Sequence, residues 1–564
     1  MRFEDYKYVR PDIEDAGKKL EAAIEQFKNA ASIEEQNKAM TDFNTIRNDL
    51  GTMSNLTYIR HSIDTNDEFY KAEQEFMDEV QPQIEGHITK YYEALVNSPF
   101  RGELEKKWGN QLFDLADAQL KVFSPEIVSY LQKENKLSSE YTKLIASAKI
   151  DFEGEERTLA QLDPFTESTD REMRKKASEA KFGFLAGIEQ ELDRIYDELV
   201  QLRTEIAHKL GYKNFVELGY HRMYRTDYNA EMVKNFRDQI KEYIVPLATK
   251  LKERQRERIG VDQLKYYDEG FVFSTGNAVP KGDPDWIVAN GQKMYDELSE
   301  ETGKFFAFMN ENGLMDLVAK KGKAGGGYCS YIENYKAPFI FSNFNGTSGD
   351  IDVLTHEAGH AFQVYESSHF EIPEYNWPTY EAAEIHSMSM EFFTWPWMEN
   401  FFQEDTDKYK FSHLSSSLLF LPYGVAVDEF QHWVYENYKA TPEERKHAWR
   451  EIEKKYMPHR DYDGNEYLEN GGFWQRQGHI YNSPFYYIDY TLAQICAFQF
   501  WKRSRENHEK AWKDYLYLCK LGGSLPFTGL VKEANLISPF EDGCVQSVVS
   551  EIDQWLSAVD DKAL

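Results

Sequence analysis

IDVLTHEAGHAFQVY, residues 351–365, is the stretch on which the prediction of the fold and of the site depends. We predict that it forms a helix. His356 and His360 are four residues apart, so on a helix they share one face and can bind the same cation. Glu357 lies between them, beside that cation. In this HExxH spacing two imidazoles typically bind zinc, and the carboxylate activates the water that zinc holds.

Two features in and beside the motif indicate a packed helix rather than a solvated one that carries two histidines by chance. Gly359 costs a helix about 1 kcal/mol relative to Ala, which suggests close approach by another group. A β-prone run at 339–344 lies just upstream, and we expect there an edge strand that could hold an extended peptide by main-chain bonds. With a second run at 328–332, it predicts a small β-sheet near residues 325–345.

A catalytic zinc site needs a third protein ligand and one open position. The stretch YEAAEIHSMSMEFF, residues 380–393, is a second predicted helix with three carboxylates, Glu381, Glu384 and Glu391. His386 is a rival ligand, but it points roughly to the other side of the helix from Glu384. Spacing alone does not choose between Glu381 and Glu384, and a lone Glu ordinarily belongs to a solvated helix face.

Composition restricts the class of protein. The 564 residues carry a net charge of −31, which repels phosphate, so we expect neither nucleic acid nor an anionic membrane as a partner. The four cysteines form no CxxC pair, which is typical of a reducing compartment. We see no signal-peptide pattern and no run long enough to span a bilayer. We therefore expect a cytoplasmic protein, and the sequence leaves its oligomeric state open.

Most of the chain has the pattern of amphipathic helices. From residue 11 to about residue 150, apolar residues recur at helical spacing among charges, and no repeat of fixed period is evident. The polar segment 151–170 is a candidate junction. We predict a mainly α-helical fold, with an N-terminal helical region at 1–165 and a catalytic region at 166–564.

The sequence HEAGH followed by EAAEIHSMSME resembles the oligopeptidase family that includes thimet oligopeptidase and oligoendopeptidase F. The likeness begins upstream at STDREMRKKASEAKF, residues 168–182, and is closest to the oligoendopeptidase F branch. It implies that Glu384 is the third zinc ligand, with Ser387 and Glu391 at the later positions of the family's E-x-x-S-x-x-x-E helix. His386 departs from the Pro that the family often has. The resemblance further implies one zinc ion per chain and two helical lobes around a deep channel for short, unstructured peptides.

A further cluster of aromatic residues lies at GGFWQRQGHIYNSPFYYIDYTLAQICAF, residues 471–498. His479, Tyr486 and Tyr490 are candidates for the family's substrate-contacting His and Tyr. Such donors could stabilise the oxyanion that forms when water attacks a peptide carbonyl. Tyr487 is an alternative, since the match could slip by one residue. The other interpretation is a set of core aromatics at helical spacing.

These patterns predict a zinc-dependent oligoendopeptidase that hydrolyses internal bonds of short peptides, with Glu357 as the general base. Two alternatives remain open. One is a helical zinc carboxypeptidase that trims C-terminal residues. The other is a non-enzymatic peptide-binding protein with a relic metal site.

Overall fold

Helices make up most of the protein. The structure, a computed structural model, describes residues 1–320, 322–324 and 326–564. The α-helices are α1 (Ile13–Asn29), α2 (Ile33–Ile63), α3 (Glu68–Val96), α4 (Arg101–Trp108), α5 (Gln111–Val122), α6 (Val128–Ala146), α7 (Asp163–Thr166), α8 (Arg171–Gly187), α9 (Glu189–Lys209), α10 (Phe215–Arg222), α11 (Ala230–Gln239), α12 (Val245–Arg258), α13 (Pro284–Leu298), α14 (Glu300–Glu311), α15 (Gly349–Ser367), α16 (Tyr380–Phe393), α17 (Glu399–Phe402), α18 (Thr406–Glu436), α19 (Pro442–Tyr456), α20 (Glu466–Glu469), α21 (Gly478–Asn482), α22 (Tyr487–Glu506), α23 (His508–Leu521), α24 (Phe527–Glu533) and α25 (Cys544–Ala558). The strands are β1 (Ile150–Phe152), β2 (Glu155–Arg157), β3 (Met315–Val318), β4 (Tyr328–Ile332) and β5 (Ala337–Phe344). The predicted mainly α-helical class is confirmed.

Many helices begin where the sequence supplies a capping side chain. Asp12 accepts a hydrogen bond from the backbone N–H of Asp15 at the start of α1. Thr441 and Glu444 cap α19 reciprocally. Such caps satisfy backbone donors that the first turn leaves free, and each contributes about 1 kcal/mol. None of the described helices is both long enough and apolar enough to cross a membrane.

The apolar helix faces of the described residues pack into two large hydrophobic cores. The N-terminal core takes its side chains mostly from α1 to α5, for example Phe27 and Phe43. The larger core surrounds the helices that carry the candidate site, and Leu354 of α15 belongs to it. Ile372 and Tyr375, from the segment after α15, pack into the N-terminal core. The N-terminal helices therefore contact the segment that links α15 and α16. The division of the chain between residues 165 and 166 stays a prediction.

A three-stranded sheet, counted over the described residues, lies beside α15 in the order β3-β5-β4. Strands β4 and β5 are antiparallel, so the predicted small sheet near the motif helix is confirmed. Its predicted start, Gly325, lies outside the described residues. The prediction that the run at 339–344 forms the edge strand is wrong, because β3 pairs in parallel with the other side of β5, with Met315 opposite Ile340. The edge nearest the site is that of β4.

Candidate active site

Helix α15 presents both histidines of the motif on one face, and their ring centroids are 5.1 Å apart. The loop before the helix is closed by Asp350, whose carboxylate accepts the backbone N–H groups of Asn345 and Gly346, both at 2.8 Å. A carboxylate in the first turn also suits the positive end of the helix dipole. The loop thus sets where α15 leaves the sheet.

Helix α16 crosses α15 at Gly359. A Cβ atom added there would lie 2.7 Å from the carbonyl oxygen of His386 and 2.7 Å from Cα of Ser387, so only glycine allows this approach. The close approach predicted from the cost of Gly359 is confirmed. The imidazole of His386 is fully buried near Tyr515 and does not line the site cavity, in agreement with its expected direction away from Glu384.

The crossing brings Glu384 to the two histidines. Its Oε2 atom lies 3.3 Å from Nε2 of His356 and 3.5 Å from Nε2 of His360, and Ser387 Oγ donates to the same Oε2 at 2.8 Å. Bonds of about 2.1 Å around a tetrahedral zinc ion place its ligand atoms about 3.4 Å apart. Two imidazoles and one carboxylate at these separations therefore fit zinc.

The alternative carboxylate, Glu381, lies elsewhere. It is buried, and it accepts a hydrogen bond from the Tyr228 hydroxyl at 3.1 Å. Burial raises its pKa to about 7. Of the two carboxylates that spacing left open, the structure brings Glu384, and not Glu381, to the histidines.

Glu357 and Glu384 differ in their electrostatic surroundings. Burial raises the pKa of Glu357, and the imidazoles of His356 and His360 only partly oppose that rise. Burial also disfavours the charge on Glu384, but the same imidazoles outweigh it and hold the pKa of Glu384 well below its ordinary value. An anionic Glu384 suits a metal ligand, whereas a Glu357 shifted toward protonation suits a proton acceptor and donor.

His356 is held from behind by Glu391. The Oε1 atom of Glu391 lies 2.7 Å from Nδ1 of His356, and its Oε2 atom lies 2.8 Å from Nε2 of His413 on α18. A carboxylate on the second nitrogen of a metal-binding imidazole orients the ring and selects its tautomer. The seven-residue spacing from Glu384 puts Glu391 on the same helix face, which is a sequence signal for this contact. Sequence reasoning missed His413, which no local pattern marks.

A cavity of about 440 Å³ opens onto the histidines. It is formed by the start of β4, by α15, by the segment 377–384, and by Tyr486 and Tyr490. Gly327 and Cys329 line it from the sheet and Trp377 from the segment; sequence reasoning did not single these out as site residues. A larger groove of about 1100 Å³ lies between α18 and α19. Its lining includes none of His356, His360 and Glu384, the only His–Glu cluster among the described residues that could hold a metal ion.

The predicted tyrosines stand on the side of the cavity that α22 forms. The Tyr486 hydroxyl donates to Glu384 Oε1 at 3.2 Å, and the rings of Tyr486 and Tyr490 are 5.0 Å apart. Burial, followed by the charge of Glu384, raises the pKa of Tyr490 to about 12 and that of Tyr486 further. Both phenols are therefore hydrogen-bond donors at neutral pH.

His479 and Tyr487 lie behind these tyrosines. The ring of His479 is 5.8 Å from that of Tyr486 and 5.9 Å from that of Tyr490, but His479 does not line the cavity. Tyr487 also lies outside the cavity lining and packs against Tyr423. The structure thus brings all four residues into one aromatic cluster and places Tyr486 and Tyr490 at the cavity.

The chain enters α22 through a strained residue. Phe485 has a φ of +69°, a left-handed conformation that costs a non-glycine residue on the order of 1 kcal/mol or more. Arg225 donates to the carbonyl oxygen of Phe485. The backbone N–H of Phe485 donates to Oε1 of Gln431 at 2.9 Å. These buried contacts hold the turn that aims Tyr486 at the cavity.

Comparison with known proteins finds relatives of this chain. The profile of the "Peptidase M3 N-terminal domain" matches residues 3–123, and that of "Peptidase family M3" matches residues 165–277 and 293–549. The oligoendopeptidase F homolog of Borreliella burgdorferi (strain ATCC 35210 / DSM 4680 / CIP 102532 / B31) is 28% identical over 242 residues. That alignment covers 40% of this chain and only 39% of the relative's length.

Solved structures match along the whole chain. The structure of PZ peptidase A with inhibitor 2 superposes with a TM-score of 0.94 at 70% identity, and each chain is covered in full. A Bacillus anthracis str. Ames protein named an oligoendopeptidase F superposes with a TM-score of 0.90 at 66% identity, over 100% of this chain and 99% of that one. The resemblance read from the motif helices is therefore confirmed, and this chain belongs to peptidase family M3, a family of metallopeptidases.

Proposed function

We propose that this protein is a zinc-dependent oligoendopeptidase that hydrolyses internal bonds of short, unstructured peptides. The proposal is carried by the convergence of His356, His360 and Glu384, each of which offers one ligand atom within 4.8 Å of the other two. Three protein ligands leave one position for water or substrate, as in hydrolytic zinc sites. One zinc ion per chain would be held in this way.

Glu357 is the proposed general base. When bound, a zinc ion lowers the pKa of water to about 7 and polarises the peptide carbonyl. One carboxylate oxygen of Glu357 takes the proton from the attacking water and returns it to the leaving nitrogen. Burial supports this role, because it raises the pKa of Glu357 toward the working pH, where a group exchanges protons most effectively.

Tyr486 and Tyr490 are the proposed donors to the oxyanion. Both phenols border the cavity, and their raised pKa values keep the donor protons in place. A donor aimed at the developing negative charge stabilises the transition state more than the substrate. His479, which packs behind both rings, would act by holding them in position.

The edge of β4 is the proposed peptide-binding element. Gly327 lies so near the base that a Cβ atom there would be 3.5 Å from Glu357 Oε1. An extended peptide could pair with the main chain of residues 327–329 and bring its scissile bond to Glu357. Further along the strand the edge is already used, because the side-chain amide of Asn55 donates to the carbonyl oxygen of Tyr331 at 2.8 Å. Pairing of this kind requires an unfolded segment, which supports short peptides as substrates.

We also place the protein in the cytoplasm. Its four cysteines, all of them described, are unpaired, which suits a reducing compartment.

Digestion of a peptide library that is blocked at both ends tests the proposed reaction. Mass spectrometry should find internal cuts that a chelator abolishes. Strict release of single C-terminal residues from unblocked peptides, with no cut in blocked ones, would favour the carboxypeptidase alternative.

Glu357→Gln tests the proposed base, with Glu366→Gln on the same helix as the matched control. Glu357→Gln should lower kcat by about 10²-fold to 10⁴-fold and keep one zinc per chain, because the base is not a ligand. Glu366→Gln should leave kcat and zinc content near those of the wild type. A zinc-replete Glu357→Gln protein with wild-type kcat would contradict the role of Glu357.

A further inference from the structure

We propose that Trp395 and His413 are positioning residues that act through Glu391 to set the tautomer and the ring orientation of His356. The inference rests on the proposed role of His356 as a zinc ligand. It concerns two residues outside the motif, Trp395 on the segment after α16 and His413 on α18, and it explains why a buried histidine and a buried indole lie end to end behind the site.

The residues form a continuous chain of hydrogen bonds. Nε1 of Trp395 lies 3.1 Å from Nδ1 of His413, and Nε2 of His413 lies 2.8 Å from Oε2 of Glu391. The other carboxylate oxygen, Oε1, lies 2.7 Å from Nδ1 of His356. The inner end of the chain is shielded from solvent, since Trp395 and His413 are each 7% exposed. Water has little access to replace either of these two partners.

The indole of Trp395 fixes which atom donates and which accepts in each hydrogen bond of this chain. An indole N–H only donates, so Nδ1 of His413 must offer a lone pair to it. The proton of a neutral His413 is then on Nε2, where it is donated to Glu391. A doubly protonated ring would set two N–H groups against each other across 3.1 Å. Burial lowers the pKa of His413, whereas the hydrogen bond to Glu391 and the charges of Glu391 and Asp352 raise it, with a net rise.

Glu391 in turn fixes the tautomer of His356. An ionised carboxylate only accepts, so it takes a proton from His413 at Oε2 and from Nδ1 of His356 at Oε1. The lone pair of His356 therefore lies on Nε2, the atom that faces Glu384 at 3.3 Å. The opposite tautomer would aim a lone pair at the carboxylate and an N–H group at the metal position.

His360 provides an internal contrast. Its Nδ1 atom is buried and has no hydrogen-bond partner among the described residues. The two proposed histidine ligands thus differ, since only His356 has a buried carboxylate behind it. Loss of the chain should therefore weaken zinc binding through His356 and leave His360 unaffected.

Zinc affinity measured by competition with a chromophoric chelator tests the proposal on the full-length protein. His413→Leu removes both hydrogen bonds of the ring and should weaken zinc binding by about tenfold or more, the range found for partners of metal ligands. His413→Gln supplies one donor and one acceptor and should restore most of the affinity. Trp395→Phe should cost less than His413→Leu, since it removes only the indole donor. Trp397→Phe is the matched control, because that indole donates to Glu297 at 2.7 Å, away from the chain.

Thermal unfolding of the metal-free variants separates positioning from general packing. The proposal predicts similar unfolding of the metal-free His413→Gln and Trp395→Phe proteins and the wild type, with zinc affinity ordered wild type, Gln, Phe, Leu. Equal losses of affinity in His413→Gln and His413→Leu, or wild-type affinity in both His413→Leu and Trp395→Phe, would overturn it. His356→Ala identifies which claim has failed. If it keeps wild-type zinc affinity, the proposed ligand set fails; if it alone loses zinc, only the inference on Trp395 and His413 fails.

Discussion

The two sides of the cavity hold their side chains by different means. On the metal side, formed by α15 and α16, directional hydrogen bonds fix two of the three proposed ligands: Glu391 holds His356, and Ser387 holds Glu384. On the tyrosine side, formed by α21 and α22, ring packing dominates, and ring centroids lie 5.0 to 5.9 Å apart. The hydroxyl of Tyr486 joins the two sides through Glu384. The difference predicts that the metal side controls zinc binding, whereas the tyrosine side controls the rate of the chemical step.

The largest effect should come from Glu384→Gln, because an amide replaces the proposed anionic ligand. Zinc binding should weaken by more than the roughly 100-fold that the loss of an outer partner costs, and activity should fall with zinc content. Metal analysis of the dialysed protein measures the zinc that each chain retains. Glu381→Gln, one turn earlier, is the matched control. Glu381 lies away from the histidines and accepts a hydrogen bond from Tyr228, so its amide variant should keep zinc. Zinc loss in Glu381→Gln but not in Glu384→Gln would invert the assignment.

On the tyrosine side, Tyr486→Phe and Tyr490→Phe each remove one donor. The variant that loses the oxyanion donor should lower kcat by about 10²-fold to 10³-fold. Zinc affinity should stay unchanged in Tyr490→Phe, whereas Tyr486→Phe also removes a hydrogen bond to the proposed ligand Glu384. Steady-state kinetics on a quenched fluorescent peptide measures this effect. Tyr487 lies outside the cavity lining, so Tyr487→Phe should keep a kcat near that of the wild type. If both cavity variants retained wild-type kcat, the tyrosine side would have no part in the chemistry.

The smallest effect, on stability, should come from Gly359→Ala at the crossing of α15 and α16. The added methyl group would lie 2.7 Å from backbone atoms of α16, so overpacking should cost about 1–3 kcal/mol of unfolding free energy. Gly183→Ala in α8 is the control, since no atom lies within 4 Å of its added Cβ. That change should stabilise the protein by about 0.5–1 kcal/mol. Urea unfolding of the metal-free proteins compares the two, and equal stabilisation by both would mean that the crossing is loose.

The part of the site that depends on local spacing could be predicted from the sequence. His356 and His360 share a face because helical residues four apart always do, and Glu357 follows from the same helix. Gly359 indicated that another element packs closely against α15, since a glycine within a helix is costly without a neighbour that requires it. The mainly helical class followed from amphipathic periodicity over most of the chain.

Contacts between distant segments could not be predicted in this way. Spacing left Glu381 and Glu384 equivalent, and only the family resemblance favoured Glu384. The pairing of β3 with β5 joins residues at least 25 positions apart, for example Met315 and Ile340, so the run at 339–344 gave no sign that both its edges are occupied. His413 reaches Glu391 across 22 residues and from another helix, and no periodicity encodes that meeting.

Anomalous diffraction at the zinc absorption edge, from crystals of the protein grown with zinc, tests the central claim most directly. The account predicts one strong peak per chain, bonded at about 2.0–2.2 Å to Nε2 of His356, Nε2 of His360 and a carboxylate oxygen of Glu384. A peak bonded to other side chains, or a zinc ion at the histidines with the Glu384 carboxylate out of bonding distance, would contradict it.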